Sequence, residues 1–154
     1  SFTRFITHTK HSKEMKHTVR TSWKKDMAFE ADINGHSLMM DAPEEAGGND
    51  RGPRPKPLML ASLAGCTGMD VVGILKKMRV EFTGFDILIE AEVTEEAPKH
   101  YQKMKVIYEF TGKDLPEDKL KKAVDLSREK YCGVSYVYKQ VIDMEYDVRI
   151  KEEN

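Results

Sequence analysis

The chain has 154 residues, a third of them charged, and its 25 lysines and arginines nearly balance its 26 aspartates and glutamates. Charges of both signs are interspersed and no basic stripe occurs, so the composition argues against nucleic acid as the main partner. A chain of this length can bury one core of ordinary size, and we expect a single domain over 15–154. Residues 1–14 contain no apolar run of secretory length, and we expect them to form a disordered extension outside the fold.

The first part of the domain is predicted to be a meander of three antiparallel strands. The dipeptide Asn34-Gly35 suits the two positive-φ positions of a tight turn between two stretches of alternating apolar residues. The register predicted by a two-residue turn pairs Ile33 with His36, Ala31 with Leu38 and Phe29 with Met40. We expect a strand around 17–23 before this hairpin, and a long exposed loop over 43–57 after it.

The segment Leu58–Leu75 is unusually apolar for so charged a chain, and Asp70 is its only charged residue. Its length approaches that of a membrane span, but its glycines and the carboxylate of Asp70 make it weakly hydrophobic. We therefore predict a helix enclosed by protein and no membrane partner. We expect the helix to end near Lys76, Lys77 and Arg79, whose positive charges complement the negative end of the helix dipole.

Further strands and a second helical region complete the predicted fold. Apolar residues alternate with charged ones in three stretches, 85–93, 104–110 and 142–150. Residues at helical spacing lie between the last two stretches: Leu120, Ala123, Val124, Ser127 and Tyr131. Asp114 and Glu117 precede them in the pattern of a capping box, and Gly133 is expected to bend or interrupt the helix before it continues over 134–140. This order of elements predicts an α+β fold with antiparallel strands.

Two cysteines, Cys66 and Cys132, are the residues with the clearest potential for chemistry. Their spacing fits neither a secreted disulfide framework nor a structural zinc site, so we expect a reducing, cytoplasmic location. His8, His11 and His17 lack a companion cluster of ligands, and we predict no metal and no cofactor.

The residues alone leave two interpretations of the cysteines open. Both cysteines can be small core hydrophobes, which is the commoner fate of a lone cytosolic cysteine. Alternatively they form a redox pair, in which one thiolate becomes a sulfenic acid that the second thiol captures as a disulfide. Redox chemistry requires a lowered thiol pKa, and Cys66 lies too far inside its helix for the N-terminal dipole to lower it. A basic side chain from elsewhere in the fold is then needed.

Two stretches of the chain resemble the motifs of the OsmC/Ohr family. They are RPKPLMLASLAGCTGMDVVGILKK, residues 54–77, and AVDLSREKYCGVSYV, residues 123–137. The predicted order of strands and helices agrees with the family from about residue 16 to residue 150. The resemblance implies an OsmC-like fold: an intertwined homodimer with a central buried helix and a second, cysteine-bearing helix. Many members reduce organic hydroperoxides with dithiol reductants such as lipoylated proteins. The resemblance therefore implies an organic hydroperoxide as substrate and a dithiol reductant as partner.

By motif position, the resemblance implies that Cys66 is the peroxidatic cysteine and Cys132 the resolving one. The chain departs from the family just before the apolar helix, because Lys56 stands where a glutamate orients an arginine against the thiolate. That arginine has no clear match either. Cations that could take its place are Arg20, Lys24, Lys25, Arg51, Arg54 and Lys56 itself.

Three functions are consistent with these features: a thiol peroxidase, a non-enzymatic dimer that binds a hydrophobic or acyl ligand, and a redox sensor or dithiol reductase of protein partners. The missing glutamate favours the second. Asp70 lies one helical turn after Cys66, where a carboxylate raises the thiol pKa, so we expect a structural role for it. Three tyrosines are candidates to line an apolar pocket near Cys132: Tyr131, Tyr136 and Tyr138.

Overall fold

The computed structural model describes residues 15–154, so the extension expected over 1–14 lies outside the described residues. The described residues form two compact units, and the boundary between them falls between Arg54 and Pro55. This boundary lies inside the loop predicted over 43–57. The first unit carries the predicted hairpin, and the second carries both cysteines.

The first unit is an antiparallel meander of three strands: β1 (Arg20–Lys25), β2 (Ala28–Ile33) and β3 (His36–Met40). Asn34 and Gly35 have φ values of 52° and 80°, as the tight turn requires. The predicted register is confirmed, because Ile33 pairs with His36, Ala31 with Leu38 and Phe29 with Met40. The strand expected around 17–23 begins later, at Arg20.

The loop that follows β3 is organised around the buried carboxylate of Asp41. Its Oδ1 accepts a hydrogen bond from the amide of Ala42 at 2.8 Å, and its Oδ2 accepts from the amides of Asn49 and Arg51, both at 3.1 Å. The guanidinium of Arg51 also lies 3.7 Å from Oδ2. Burial raises the pKa of Asp41, but the three amides and Arg51 outweigh burial and hold that pKa below its ordinary value.

The second unit contains a long helix, a three-stranded sheet and a helical crossover. Its elements are α1 (Leu58–Lys77), β4 (Gly84–Val93), β5 (Tyr101–Gly112), α2 (Glu117–Leu126), a π-helical turn (Ser127–Tyr131), α3 (Gly133–Tyr138) and β6 (Asp143–Glu152). Helix α1 ends at Lys77, as predicted, and the α+β class is confirmed. The expectation of purely antiparallel strands is corrected, because β5 pairs antiparallel with β4 but parallel with β6. The helical crossover returns the chain to the end of the sheet where β5 began, and this makes the second pairing parallel.

Helix α1 packs one face against the core of the second unit. Its buried residues follow each other at intervals of four: Leu63, Thr67, Val71 and Leu75. Leu63, Val71 and Leu75 share a core cluster with Met104, Val106, Tyr108 and Phe110 of β5. By length and composition alone α1 is also apolar enough to cross a membrane. Within a single chain, however, Met59, Met69 and Val72 of α1 remain exposed, so the helix is enclosed on one face only.

Two local predictions for the crossover are wrong. Asp114 and Glu117 do not form a capping box, because α2 begins after Pro116 without a side-chain cap. Tyr131 does not continue the buried stripe of α2, since the chain leaves the α-helical spacing at Ser127 and the π-helical turn leaves Tyr131 exposed.

We predict that Asp41→Asn lowers the free energy of unfolding at pH 7. The asparagine side chain lacks the negative charge that three backbone amides and Arg51 stabilise in the folded protein. The folded pKa of Asp41 is depressed, so its contribution is present above the unfolded value of about 3.9 and is lost as pH falls through the folded pKa. Urea unfolding at pH 7 and at pH 3 measures the effect. The control is Asp32→Asn, at an exposed position on β2. An equal loss at both pH values would contradict a charge effect.

Candidate functional site

The two cysteine thiols meet where α3 begins. Cys132 is the N-cap of α3, and its Sγ accepts a hydrogen bond from the amide of Ser135 at 3.4 Å. The thiol of Cys66 lies close to the amide of Val134 and to the thiol of Cys132, and both of them affect its pKa. Both thiols are free, with Cys66 half-buried and Cys132 buried. The structure therefore brings together the two residues that the sequence singles out.

The chain path around Cys132 explains this meeting. After α2, the π-helical turn ends with a hydrogen bond from the amide of Cys132 to the carbonyl of Ser127, 2.8 Å long. Cys132 is extended, with φ −76° and ψ 104°, and α3 starts at the next residue, Gly133. The break that the sequence predicts near Gly133 thus occurs at Cys132. It directs the first amides of α3 toward the two sulfur atoms.

The surroundings of Cys66 hold its pKa above the ordinary value of a thiol. Burial is the largest cause, and the adjacent thiol of Cys132 and the carboxylate of Asp70 raise the pKa further. The amide of Val134 acts in the opposite direction, because it stabilises the thiolate, but it does not outweigh the others. The lowered pKa that redox chemistry favours is therefore not produced by these neighbours.

The cations proposed from the sequence are either exposed or paired with an acidic side chain of their own unit. Arg51 pairs with Asp41 and Arg54 with Asp50, both within the first unit. Lys56 is exposed just before α1, and a separate set of basic side chains is exposed on β1: Arg20, Lys24 and Lys25. His17 is also exposed, whereas His8 and His11 lie outside the described residues. Over 15–154 no group of three His, Cys, Asp or Glu side chains is arranged to hold a metal ion.

A buried chain of polar side chains lies next to the thiols. Tyr108 Oη is 2.8 Å from Thr67 Oγ1, and Thr67 Oγ1 is 2.8 Å from Ser127 Oγ. Ser127 Oγ then donates to Asp70 Oδ2 at 3.0 Å. This bond fits the structural role that the sequence predicts for Asp70. Sequence reasoning did not assign a role to Thr67, Ser127 or Tyr108. The available signal was a pair of hydroxyl residues, Thr67 and Ser127, on otherwise apolar helix faces.

Of the three candidate tyrosines, the structure places Tyr138 near Cys132. Its hydroxyl donates to the carbonyl of Met59 at 2.9 Å, which ties α3 to the first turn of α1. Burial raises the pKa of Tyr138, and the nearby Cys132 adds to this shift. Tyr131 and Tyr136 are exposed instead. Tyr131 lines an open cleft beside α1, together with Met69 and Leu126.

A family model and a known protein each match most of this chain. The model of the OsmC-like protein family matches residues 47–147. Protein YhfA of Escherichia coli K12 is 30% identical over 133 residues, which are 86% of this chain and 96% of YhfA.

Solved structures share the fold. A hypothetical protein from Aquifex aeolicus VF5 superposes with a TM-score of 0.80 at 28% identity, over 91% of this chain and 99% of that one. An organic hydroperoxide resistance protein OsmC from Legionella pneumophila superposes with a TM-score of 0.65 at 14% identity, over 88% and 98%. At that identity the second likeness concerns the fold alone. The family match, the coverage of YhfA and the shared fold establish that this chain belongs to the OsmC-like protein family.

Proposed function

We propose that the chain is a thiol peroxidase that reduces organic hydroperoxides, with Cys66 as the attacking residue and Cys132 as the resolving one. The observation that carries the proposal is that two free thiols from distant parts of the sequence lie close together at the start of α3. The name of the Legionella relative, an organic hydroperoxide resistance protein, supports the same substrate class.

The reaction proceeds in three balanced steps. The Cys66 thiolate attacks the terminal oxygen of the hydroperoxide, the O–O bond breaks, and the alkoxide leaves as an alcohol after taking a proton. Cys66 is then a sulfenic acid. The Cys132 sulfur attacks it, water leaves, and a Cys66–Cys132 disulfide forms. A dithiol reductant, such as a lipoylated protein, restores both thiols by two exchange steps and becomes a disulfide itself.

The proposed enzyme is a homodimer in a reducing, cytoplasmic environment. Support comes from α1, whose apolar side chains Met59, Met69 and Val72 remain exposed in a single chain. A second copy of the chain would remove this surface from water, which is the main driving force for association. Two cysteines without the spacing of a secreted disulfide framework fit a reducing compartment.

We predict that excess cumene hydroperoxide produces a Cys66–Cys132 disulfide, detected by mass spectrometry of the digested protein. Cys66→Ser should abolish turnover, because it removes the sulfur that receives the oxygen. Cys132→Ser should still oxidise at Cys66, but the sulfenic acid should persist and be trapped by dimedone. Two unchanged thiols after treatment of the wild-type protein would contradict the proposal.

The raised pKa of Cys66 predicts a steep pH dependence of its oxidation. The thiolate is the reacting form, and an ordinary thiol has a pKa of about 8.5, so the rate with cumene hydroperoxide should rise about tenfold per pH unit from pH 6 to pH 8. Stopped-flow measurement of the first step tests this. A rate that levels off below pH 8 would show that a further group lowers the pKa.

The same electrostatics predict that Asp70→Asn accelerates the first step at pH 7. Removal of the carboxylate charge lowers the pKa of Cys66 toward its ordinary value and increases the thiolate fraction. Titration of Cys66 in a Cys132→Ser background measures the shift directly. Asp86→Asn, at an exposed position of β4, is the matched control and should leave the titration unchanged. An unshifted titration in Asp70→Asn would show that the carboxylate does not act on the thiol.

A second candidate is an apolar-ligand protein in which the cysteines only pack. It is favoured by the raised pKa of Cys66 and by a cleft of about 650 Å³ between α1 and the end of α2. The lining is mostly apolar and holds one basic and one acidic side chain: Met69, Asp70, Gly73, Ile74, Lys77, Met78, Leu126 and Tyr131. The ligand class that fits such a lining is an acyl chain. Native mass spectrometry of the purified protein distinguishes the two: a co-purified lipid retained by Cys66→Ser, with no disulfide after hydroperoxide, would favour the ligand protein.

A further inference from the structure

Ser127 forms hydrogen bonds through its side chain and through its backbone carbonyl. The side chain bonds to the helix that carries Cys66, and the carbonyl bonds to Cys132. The side-chain oxygen of Ser127 lies 2.8 Å from Thr67 Oγ1 and 3.0 Å from Asp70 Oδ2, both on the helix that carries Cys66. Its backbone carbonyl accepts the amide of Cys132 at 2.8 Å. Ser127 is fully buried. A single residue thus connects the position of Cys132 to the helix that holds Cys66.

We propose that Ser127 is a positioning residue for disulfide formation between Cys66 and Cys132. The inference rests on the proposed function, since it concerns how the second step of that reaction is achieved. Ser127 does not react itself. It holds the π-helical turn against α1, so that the Cys132 sulfur stays within reach of Cys66.

The directions of the hydrogen bonds explain why the hydroxyl of Ser127 matters. An ionised carboxylate only accepts, so Ser127 donates to Asp70 and is left to accept from Thr67, which in turn accepts from Tyr108. This chain is anchored in the sheet, because Tyr108 belongs to β5 and is fully buried. Bonds that run in one direction through a buried region reinforce one another, and loss of one member leaves its neighbours unpaired.

Disulfide formation is sensitive to this arrangement. The two sulfurs must approach to about 2.05 Å with a restricted dihedral angle, and a misplacement of about 1 Å can slow a reaction between held groups by about a hundredfold. The first step has no such requirement on Cys132, since only Cys66 and the hydroperoxide react. A defect in Ser127 should therefore appear in the second step alone.

The test separates the two steps in Ser127→Ala. After mixing with cumene hydroperoxide, loss of the Cys66 thiol should proceed within about twofold of the wild-type rate. Closure to the disulfide should be about tenfold slower or more, and dimedone should trap correspondingly more sulfenic acid. A role in general stability alone would slow both steps or neither, at temperatures below the thermal transition. Wild-type closure in Ser127→Ala would overturn the proposal.

A second arm uses glutathione redox buffers and needs no hydroperoxide. Cys66 or Cys132 displaces one glutathione from its disulfide, and the other cysteine displaces the second, so the equilibrium measures how well the two sulfurs are placed. Ser127→Ala should weaken the internal disulfide about tenfold, or about 30 mV in reduction potential. If the wild-type pair closes here but not with hydroperoxide, the peroxidase proposal fails, and the role of Ser127 stands provided that Ser127→Ala weakens the disulfide. If the pair closes equally well in wild type and variant, the role of Ser127 fails.

Matched substitutions on α1 keep the inference testable if Ser127→Ala does not fold. Thr67→Val removes the hydroxyl and should slow closure, whereas Thr67→Ser keeps the hydroxyl and should close at nearly the wild-type rate. Asp70→Asn keeps an oxygen that accepts from Ser127 and should retain closure, whereas Asp70→Ala should lose it. Equal closure in the two members of both pairs would overturn the proposal.

Discussion

The packing of α1 against its own sheet is the constraint on which the rest of the site depends. Buried residues at intervals of four, from Leu63 to Leu75, fix the rotation of the helix about its axis. A helix turns by about 100° per residue, so Cys66, one position before the buried Thr67, lies at the margin of that stripe. At the margin the thiol is half-buried and faces the start of α3 rather than the sheet. Rotation of α1 by one residue would either bury the sulfur or expose it.

Much of the fold follows from local patterns in the sequence. Asn34-Gly35 allows only a short turn, and a short turn allows only one register, so the pairing of β2 with β3 is predictable residue by residue. The end of α1 at Lys77 and the alternating strands of the second unit are equally local. The parallel pairing of β5 with β6 is not, because alternation marks which face of a strand is buried and does not identify the neighbouring strand. Asp41 escapes prediction for a related reason, since its amide partners come from a loop without periodicity.

The candidate site likewise has features that the sequence predicts and features that it does not. Cys66 and Cys132 stand out because they are the only two cysteines, but their distance in the chain says nothing about contact. The resemblance to the OsmC/Ohr family supplies that expectation. The role of Ser127 is not predictable from the sequence, since a serine on an apolar helix face is usually interpreted as a tolerated core residue. Its two-ended bonding arises only after the helix changes to a π-helical turn, which no residue spacing announces.

Asp70 has opposite effects on the two steps of the proposed reaction, the attack by Cys66 and the disulfide formation with Cys132. Its negative charge raises the pKa of Cys66, so it disfavours the thiolate that must attack the hydroperoxide. The same carboxylate accepts the hydroxyl of Ser127 and thereby completes the chain that holds Cys132 in place. A neutral acceptor would satisfy Ser127 without opposing the thiolate, but it would end the hydrogen-bonded chain with a weaker partner, because bonds to a charged acceptor are stronger. The arrangement around Asp70 thus favours a well-placed second thiol over a readily ionised first one.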